Sequence, residues 1–187
     1  MTKSEIRKVY KSKREELKND EVDDLSLKIA NQLLNLKIWD YASYHIFLSI
    51  QEKKEIQTDY ILNILSGKDK NIVVPKTNFN ENGLSHFLLT DNTTIKINNW
   101  GIPEPLEGIE ITPKQIDVVF VPLLAFDLQG HRVGYGKGFY DRFLTECKPE
   151  LITIGLSLFP PIKKIEGIHS GDIPLKFVVS PNEIYKF

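Results

Sequence analysis

The sequence predicts an α/β fold built on a largely parallel sheet with helices on its faces. Three observations carry that expectation. Short apolar runs rich in Val, Ile and Phe alternate along the chain with segments whose apolar residues recur at helical spacing. The run Asp117 to Phe126, DVVFVPLLAF, is apolar at nearly every position, which suits a strand buried on both faces. Finally, 187 residues, 41% of them hydrophobic, suffice for one domain with a sizeable core, and no tract reads as a linker to a second.

The first element is a helix. Ile6, Tyr10 and Leu17 mark its packing side, while Lys3, Arg7, Lys11 and Arg14 fall three or four residues apart and form one positive stripe. Two readings of the stripe stay open: a solvated face, or a first turn that offers Lys3 and Arg7 to a bound anion. A second helix runs from a cap at Asn19 or Asp20 through Leu36, with acidic residues at its start and Leu25, Ile29, Leu33 and Leu36 repeating along one side. Tyr44 to Ile50 then reads as a strand, Asp59 to Leu65 as a helix and Asn71 to Pro75 as a strand. Residues 77 to 113 are expected to leave the sheet, with SHFLLT and TTIKI as short antiparallel strands before the turn-rich NNWGIPEPLEG. Trp100 there is either an aromatic wall for a flat ligand or a plug for the end of the core. Leu151 to Leu158 and Phe177 to Ser180 complete the strands.

Between the 117–126 strand and the next helix lies GHRVGYGKGFYDR, residues 130 to 142. Glycine has no Cβ, so it takes φ > 0 and lets the backbone approach a ligand, and successive N–H groups then make a concavity that holds an anion. Lys137 adds a point charge; Arg132 and Arg142 add forked donors. Beyond Gly138, Phe139, Phe143 and Cys147 stand four residues apart, as on a helix with one apolar side. A strand, a glycine loop and a helix N-terminus make an anion site at the carboxyl edge of a parallel sheet. The dinucleotide fingerprint is excluded because Phe139 stands where glycine or alanine is needed. A Walker-type loop fails at His131 and at Gly138. A plain strand-to-helix turn is the competing reading.

Composition narrows the chemistry. A net charge of −1 argues against general attraction to nucleic acid or membranes. One cysteine rules out an internal disulfide framework, and without an apolar N-terminal stretch the chain is expected to be cytoplasmic, which leaves the Asn92-Thr93-Thr94 sequon without a role. Cys147 and His45, His86, His131 and His169 lack the spacing of a zinc site, and no serine stands in a nucleophile elbow. Asp141 and Asp172 are the candidate metal carboxylates, since Mg²⁺ held with a nucleotide takes one or two carboxylates plus phosphate oxygens and water. Each has a structural alternative: a first-turn helix carboxylate for Asp141, a cap or turn for Asp172.

The chain resembles the 5-formyltetrahydrofolate cyclo-ligase family. The resemblance rests on Lys3 to Arg7, FLSIQ with Glu55, NNWGIPEP, the block VPLLAFDLQGHRVGYGKGFYDRFL and GDIPL, in family order along nearly the whole chain. It implies a three-layer α/β/α sandwich with a mostly parallel central sheet and an N-terminal helical segment. It further implies ATP-dependent closure of 5-formyltetrahydrofolate to 5,10-methenyltetrahydrofolate, with Mg²⁺ and a reduced folate as ligands and a monomeric protein that binds neither nucleic acid nor membrane. The implied ATP site is Lys3, Ser4, Glu5, Ile6 and Arg7 with Arg132, Val133, Gly134, Tyr135, Gly136, Lys137, Gly138, Phe139 and Tyr140. Ile50, Glu55, Trp100 and residues Tyr135 to Phe139 would meet the folate, Asp141 and Asp172 the metal, and Lys137, Arg132 and Tyr140 would carry the chemistry. Phe139, where tyrosine is common, and Val133, where leucine is common, are the departures. Another ATP-dependent kinase or ligase on the same scaffold, or a non-catalytic nucleotide-binding module, are the rival readings.

Overall fold

Alternation along one strand sets the layers of the protein, whose computed structural model describes residues Met1 to Phe187. In Val118–Pro122, Val118 and Phe120 join one apolar cluster while Val119 and Val121 join another on the opposite face. That strand is buried on both sides, as its unbroken apolar run requires.

The helices are α1 (Lys3–Glu16), α2 (Asn19–Leu33), α3 (Asp59–Gly67) and α4 (Phe139–Glu146). The strands are β1 (Ser43–His45), β2 (Asn71–Asn78), β3 (Gly83–Leu88), β4 (Ile95–Ile97), β5 (Pro103–Pro105), β6 (Val118–Pro122), β7 (Ala125–Phe126), β8 (Arg132–Val133), β9 (Ile152–Leu156), β10 (Phe177–Val179) and β11 (Ile184–Lys186). Seven form the central sheet in the order β11-β10-β9-β6-β1-β2-β3, parallel except for β3 and β11 at the two edges. Ile29 and Leu33 of α2 and Ile61 and Leu65 of α3 cover one face; Phe143 and Leu144 of α4 cover the other. The expected three-layer arrangement is therefore present. From β1 the chain builds outward to β2 on one side and later to β6 on the other, so the order reverses between β1 and β6. A crevice opens at such a reversal, beyond the carboxyl ends of the strands.

Several elements depart from their sequence expectation, each for a local reason. Tyr44 to Ile50 keeps ladder pairing only as far as Ile46, whose N–H donates to Val73 O at 2.9 Å. Beyond it, side chains replace the ladder: the Ser49 hydroxyl donates to Ile56 O at 2.6 Å and Ile50 N–H donates to Glu55 Oε2 at 2.8 Å. The SHFLLT segment does not leave the sheet; it lies in β3, paired with β2, and only β4 and β5 form a separate hairpin. The 117–126 run is two strands, because after Pro122 the chain turns into a small hairpin of β7 and β8. Helix α2 ends at Leu33 rather than Leu36, and β11 went unforeseen. No helix is long and apolar enough to cross a membrane.

Beneath α4 lie two buried histidines, His45 on β1 and His86 on β3, with ring centroids 5.1 Å apart. Both ring nitrogens of His45 and Nδ1 of His86 have no protein partner. Burial keeps both neutral: it holds His45 well below the usual histidine range and lowers His86 to about 4. Since the unfolded chain takes up protons near pH 6.5 and the folded one does not, stability declines as pH falls below that value. For His86 alone the loss at pH 5 is about 2 kcal/mol. Glu55, raised by burial, acts with the opposite sign and offsets part of it. The urea midpoint is expected to fall between pH 7 and pH 5, and a constant midpoint would contradict this assignment.

Candidate active site

A short hairpin places the glycine loop. Fully buried Asp127 accepts N–H groups from Gln129, His131 and Ile165, each at 3.0 Å, which ties the β7–β8 turn to a distant segment. Leu124 N–H donates to Val133 O at 2.8 Å, so the chain leaves β8 beside the end of β6 and enters Gly134 to Gly138. Two glycines are conformationally required there: Gly136 has φ +100 and Gly138, the N-cap of α4, has φ +69. A Cβ at Gly136 would also lie 3.1 Å from the Arg7 guanidinium carbon. No side chain caps α4, leaving its first N–H groups without protein acceptors.

This loop, the first turn of α1, the segment after β1 and the β4–β5 hairpin surround a cavity of about 820 Å³. It lies where the sheet order reverses, as the topology demands. Lys3, Arg7, Lys11, Lys53, Arg132 and Lys137 line it, against the carboxylates of Glu55, Asp141, Glu166 and Asp172. Cations exceed anions, which favours a highly charged anionic ligand.

Helix α1 enters the site with its N-terminus fixed. Thr2 and Glu5 form a reciprocal cap, Thr2 accepting from Glu5 N–H and Glu5 accepting from Thr2 N–H at 2.8 Å. Ile6 and Tyr10 pack on Leu124 and Val133, turning Lys3 and Arg7 toward the loop. Arg7 Nε donates to Gly134 O at 3.0 Å. Of the residues the sequence proposed for ATP, the side chains of Glu5, Ile6 and Val133 do not reach the cavity: the first caps the helix and the other two are core. Lys3, Ser4, Arg7, Arg132 and residues Gly134 to Tyr140 all line it.

The cationic groups differ in freedom. Arg132 is held, donating to Ile173 O at 2.6 Å and to Asp141 Oδ1 at 2.8 Å. Arg142 braces the loop from outside through Asn82 O and Lys137 O. Lys137 is exposed on the cavity rim, and its ammonium bonds to no protein group. Asp172 Oδ2 pairs with the Lys3 ammonium and accepts His169 N–H at 2.7 Å. Asp141 Oδ1 accepts from Arg132 and from Ile173 N–H at 3.1 Å. Each carboxylate thus keeps its second oxygen without a protein donor, and both residues line the cavity, the kind of oxygen ligand a hard divalent cation takes together with phosphate and water.

On the opposite side, Glu55 is 5% exposed. Its Oε2 accepts Ile50 N–H, and its Oε1 accepts the Tyr135 hydroxyl at 2.8 Å. Burial pushes the Glu55 carboxyl upward, and the Ile50 N–H, Arg14 and Tyr135 pull it back. Above it runs an aromatic wall: Trp100 lies 5.0 Å from Phe79, which meets Phe139 edge-on at 5.9 Å. Trp100 is 66% exposed, so it is a wall and not a core plug. Phe79 and Lys53 are site residues without a sequence signal of their own, Phe79 in an Asn-rich stretch that reads only as loop; Lys11 falls on the positive stripe of α1 but was not among the residues expected at the site.

The sequence profile of the 5-formyltetrahydrofolate cyclo-ligase family matches residues 1–160. The chain belongs to the 5-formyltetrahydrofolate cyclo-ligase family. As a member, it is an ATP-using ligase, in line with the resemblance seen in the sequence. It is 27% identical to a probable 5-formyltetrahydrofolate cyclo-ligase of Schizosaccharomyces pombe over 201 aligned residues, covering 100% of this chain and 98% of the relative. It is 32% identical to the 5-formyltetrahydrofolate cyclo-ligase of Haemophilus influenzae over 65% of this chain and 67% of that one. The solution structure of Aquifex aeolicus 5,10-methenyltetrahydrofolate synthetase superposes with a TM-score of 0.84 at 29% identity, covering 100% of this chain and 93% of that chain. A Mycoplasma pneumoniae structure at 22% identity and a TM-score of 0.75 shares the fold.

Proposed function

We propose that this cyclo-ligase converts 5-formyltetrahydrofolate to 5,10-methenyltetrahydrofolate with ATP, by passing the γ-phosphoryl group to the formyl oxygen inside the described cavity. One observation carries the reading: an unpaired lysine and a glycine loop with free N–H groups face a buried carboxylate acceptor and an aromatic wall across a single cavity. The cationic side suits a triphosphate and the other side a flat heterocycle with N–H donors.

An amide oxygen leaves poorly. Attack of the formyl oxygen on the γ-phosphorus breaks the bond to ADP and gives a phosphorylated iminium, in which carbon is electrophilic and the oxygen is now part of a good leaving group. N10 attacks that carbon and loses its proton, and phosphate departs with the former formyl oxygen. Phosphoryl transfer asks the protein for position and charge rather than a nucleophile. In this reading Lys137 offsets charge on the γ-phosphoryl, Gly134 to Gly138 and the first turn of α4 hold the phosphates, and Lys3 and Arg7 close over them. Arg132 and Tyr140, which also line the cavity, complete the catalytic set with Lys137. Glu55 accepts pterin N–H groups beside Ile50, and Trp100 borders the ring. Asp141 and Asp172 would hold Mg²⁺, which supplies charge neutralisation for the polyphosphate. In this reading the enzyme acts as a cytoplasmic monomer.

The test is ATP hydrolysis by purified protein with and without 5-formyltetrahydrofolate, alongside the absorbance of the methenyl product. One ADP per methenyl product, with little hydrolysis when folate is omitted, is expected; folate-independent hydrolysis would favour the rival kinase or non-catalytic reading. For the metal, Asp141→Asn is expected to raise the magnesium concentration needed for half-maximal rate several-fold. An unchanged magnesium titration would remove Asp141 from the metal site.

A further inference from the structure

Arg14 is the unexplained charge in this fold. It falls on the positive stripe of α1, yet it is 4% exposed, buried with Ile6 and Tyr10. A guanidinium is not buried without partners at little cost. Its Nη2 donates to Leu123 O at 2.5 Å and its Nη1 to the Tyr135 hydroxyl oxygen at 3.0 Å, while Nε has no partner. The Tyr135 hydroxyl, filled from one side by Arg14, has its own proton to give, and gives it to Glu55 Oε1 at 2.8 Å. Glu55 Oε2 in turn takes Ile50 N–H. The line Arg14, Tyr135, Glu55 thus runs from the core to the cavity wall, and every donor in it points toward the carboxylate.

We propose that Arg14 is a positioning residue for folate: through Tyr135 it fixes Glu55 as a hydrogen-bond acceptor on the folate side of the cavity. This rests on the assignment of the Glu55 side to the pterin. Arg14 does not itself reach the cavity, so it acts only through the other two. The direction of each bond matters, because a carboxylate that must receive N–H donors from a ligand cannot carry a proton where those donors arrive. Burial works against the charged form of Glu55. The groups that favour it are the Ile50 N–H, the Arg14 guanidinium on α1, the Tyr135 hydroxyl on the loop and Lys53 after β1. Lys53 and Lys11 also stand over the Tyr135 ring, 4.8 Å and 5.7 Å from its centroid, and hold the ring that carries the link. Tyr140 also faces this region, and its buried hydroxyl brings no charge.

The experiment measures the dissociation constants of 5-formyltetrahydrofolate and of Mg-ATP by calorimetry from pH 6 to pH 8.5, for wild type, Arg14→Met, Arg14→Lys and Tyr135→Phe. In Arg14→Met the folate constant rises on the order of 10- to 100-fold at neutral pH, the range for loss of a charge-assisted hydrogen bond in a buried chain. The ATP constant stays within about twofold, since Arg14 meets the loop only at the Tyr135 hydroxyl, whereas the loop offers phosphate its backbone N–H groups and the Lys137 ammonium. Without the guanidinium the carboxyl protonates at higher pH, so folate binding in Arg14→Met weakens on acidification at a higher pH than in wild type. Arg14→Lys restores the wild-type pH profile and part of the affinity. Tyr135→Phe breaks the line at its middle and weakens folate binding as well; it decides the matter alone should Arg14→Met not fold. Folate constants and pH profiles that match wild type, or equal loss of folate and ATP binding, would overturn the proposal. A wild-type protein that binds ATP but no 5-formyltetrahydrofolate would instead overturn the functional reading beneath it.

Discussion

Lys137→Ala is expected to lower kcat on the order of 10²- to 10³-fold, the usual loss when one preorganised charge is removed from a transition state. The Lys137 side chain is exposed, it bonds to no protein group, and its backbone carbonyl alone is tied, to Arg142. The fold therefore has no use for the ammonium, and the mutant should melt with the wild type. Among the cavity cations Arg132 is already committed to Asp141 and Ile173, and Lys3 to Asp172. Arg7 is bonded to Gly134 O, and Lys11 and Lys53 stand over the Tyr135 ring, which leaves Lys137 as a charge free to follow a moving phosphoryl group. The folate KM should change little. Arg at this position is expected to recover only part of the rate, because a planar fork does not reproduce a point charge. Wild-type turnover in Lys137→Ala would place the phosphoryl elsewhere.

Glu55→Gln is expected to raise the folate KM by about 10²-fold and to leave the ATP KM almost unchanged. Glutamine matches the shape of glutamate but presents one amide N–H₂ where the carboxylate presents an acceptor. In this site Ile50 N–H and the Tyr135 hydroxyl already donate to both oxygens. The amide replaces an acceptor with a donor on the folate side, and a pterin N–H left facing it without an acceptor costs about 1 to 3 kcal/mol, the equivalent of the stated loss at its upper end. The pH profile gives a second readout. Because burial raises the Glu55 carboxyl, wild-type folate affinity should fall on acidification at a higher pH than an ordinary carboxylate would give, while the glutamine variant, with no carboxyl at this position, should be flatter. An unchanged folate KM would remove Glu55 from the pterin site.

Much of this site could be read from local pattern. Gly136 and Gly138 are glycines because the loop needs positive φ, and an alternating glycine run before an amphipathic helix announces that need without any tertiary information. Lys3 and Arg7 share a face by helical spacing alone. Arg14 shares the same spacing, and its burial was invisible, because the partners that draw it inward, Tyr135 and Leu123, are more than 100 residues away. Periodicity also overextended the strand from Tyr44 to Ile50: it registers apolar side chains but not the Glu55 carboxylate that competes for the Ile50 N–H. The order of strands was not written in any one element. It follows from which apolar faces could be covered together, and that order put the crevice between β1 and β6.

One cavity is expected to bring the γ-phosphoryl of ATP onto the formyl oxygen of the folate. The most direct measurement uses 5-formyltetrahydrofolate labelled with ¹⁸O in the formyl group and follows the inorganic phosphate by mass spectrometry. The mechanism predicts one labelled oxygen in every phosphate released. Unlabelled phosphate, with the label appearing in water, would mean that ATP is hydrolysed apart from ring closure and would contradict the account.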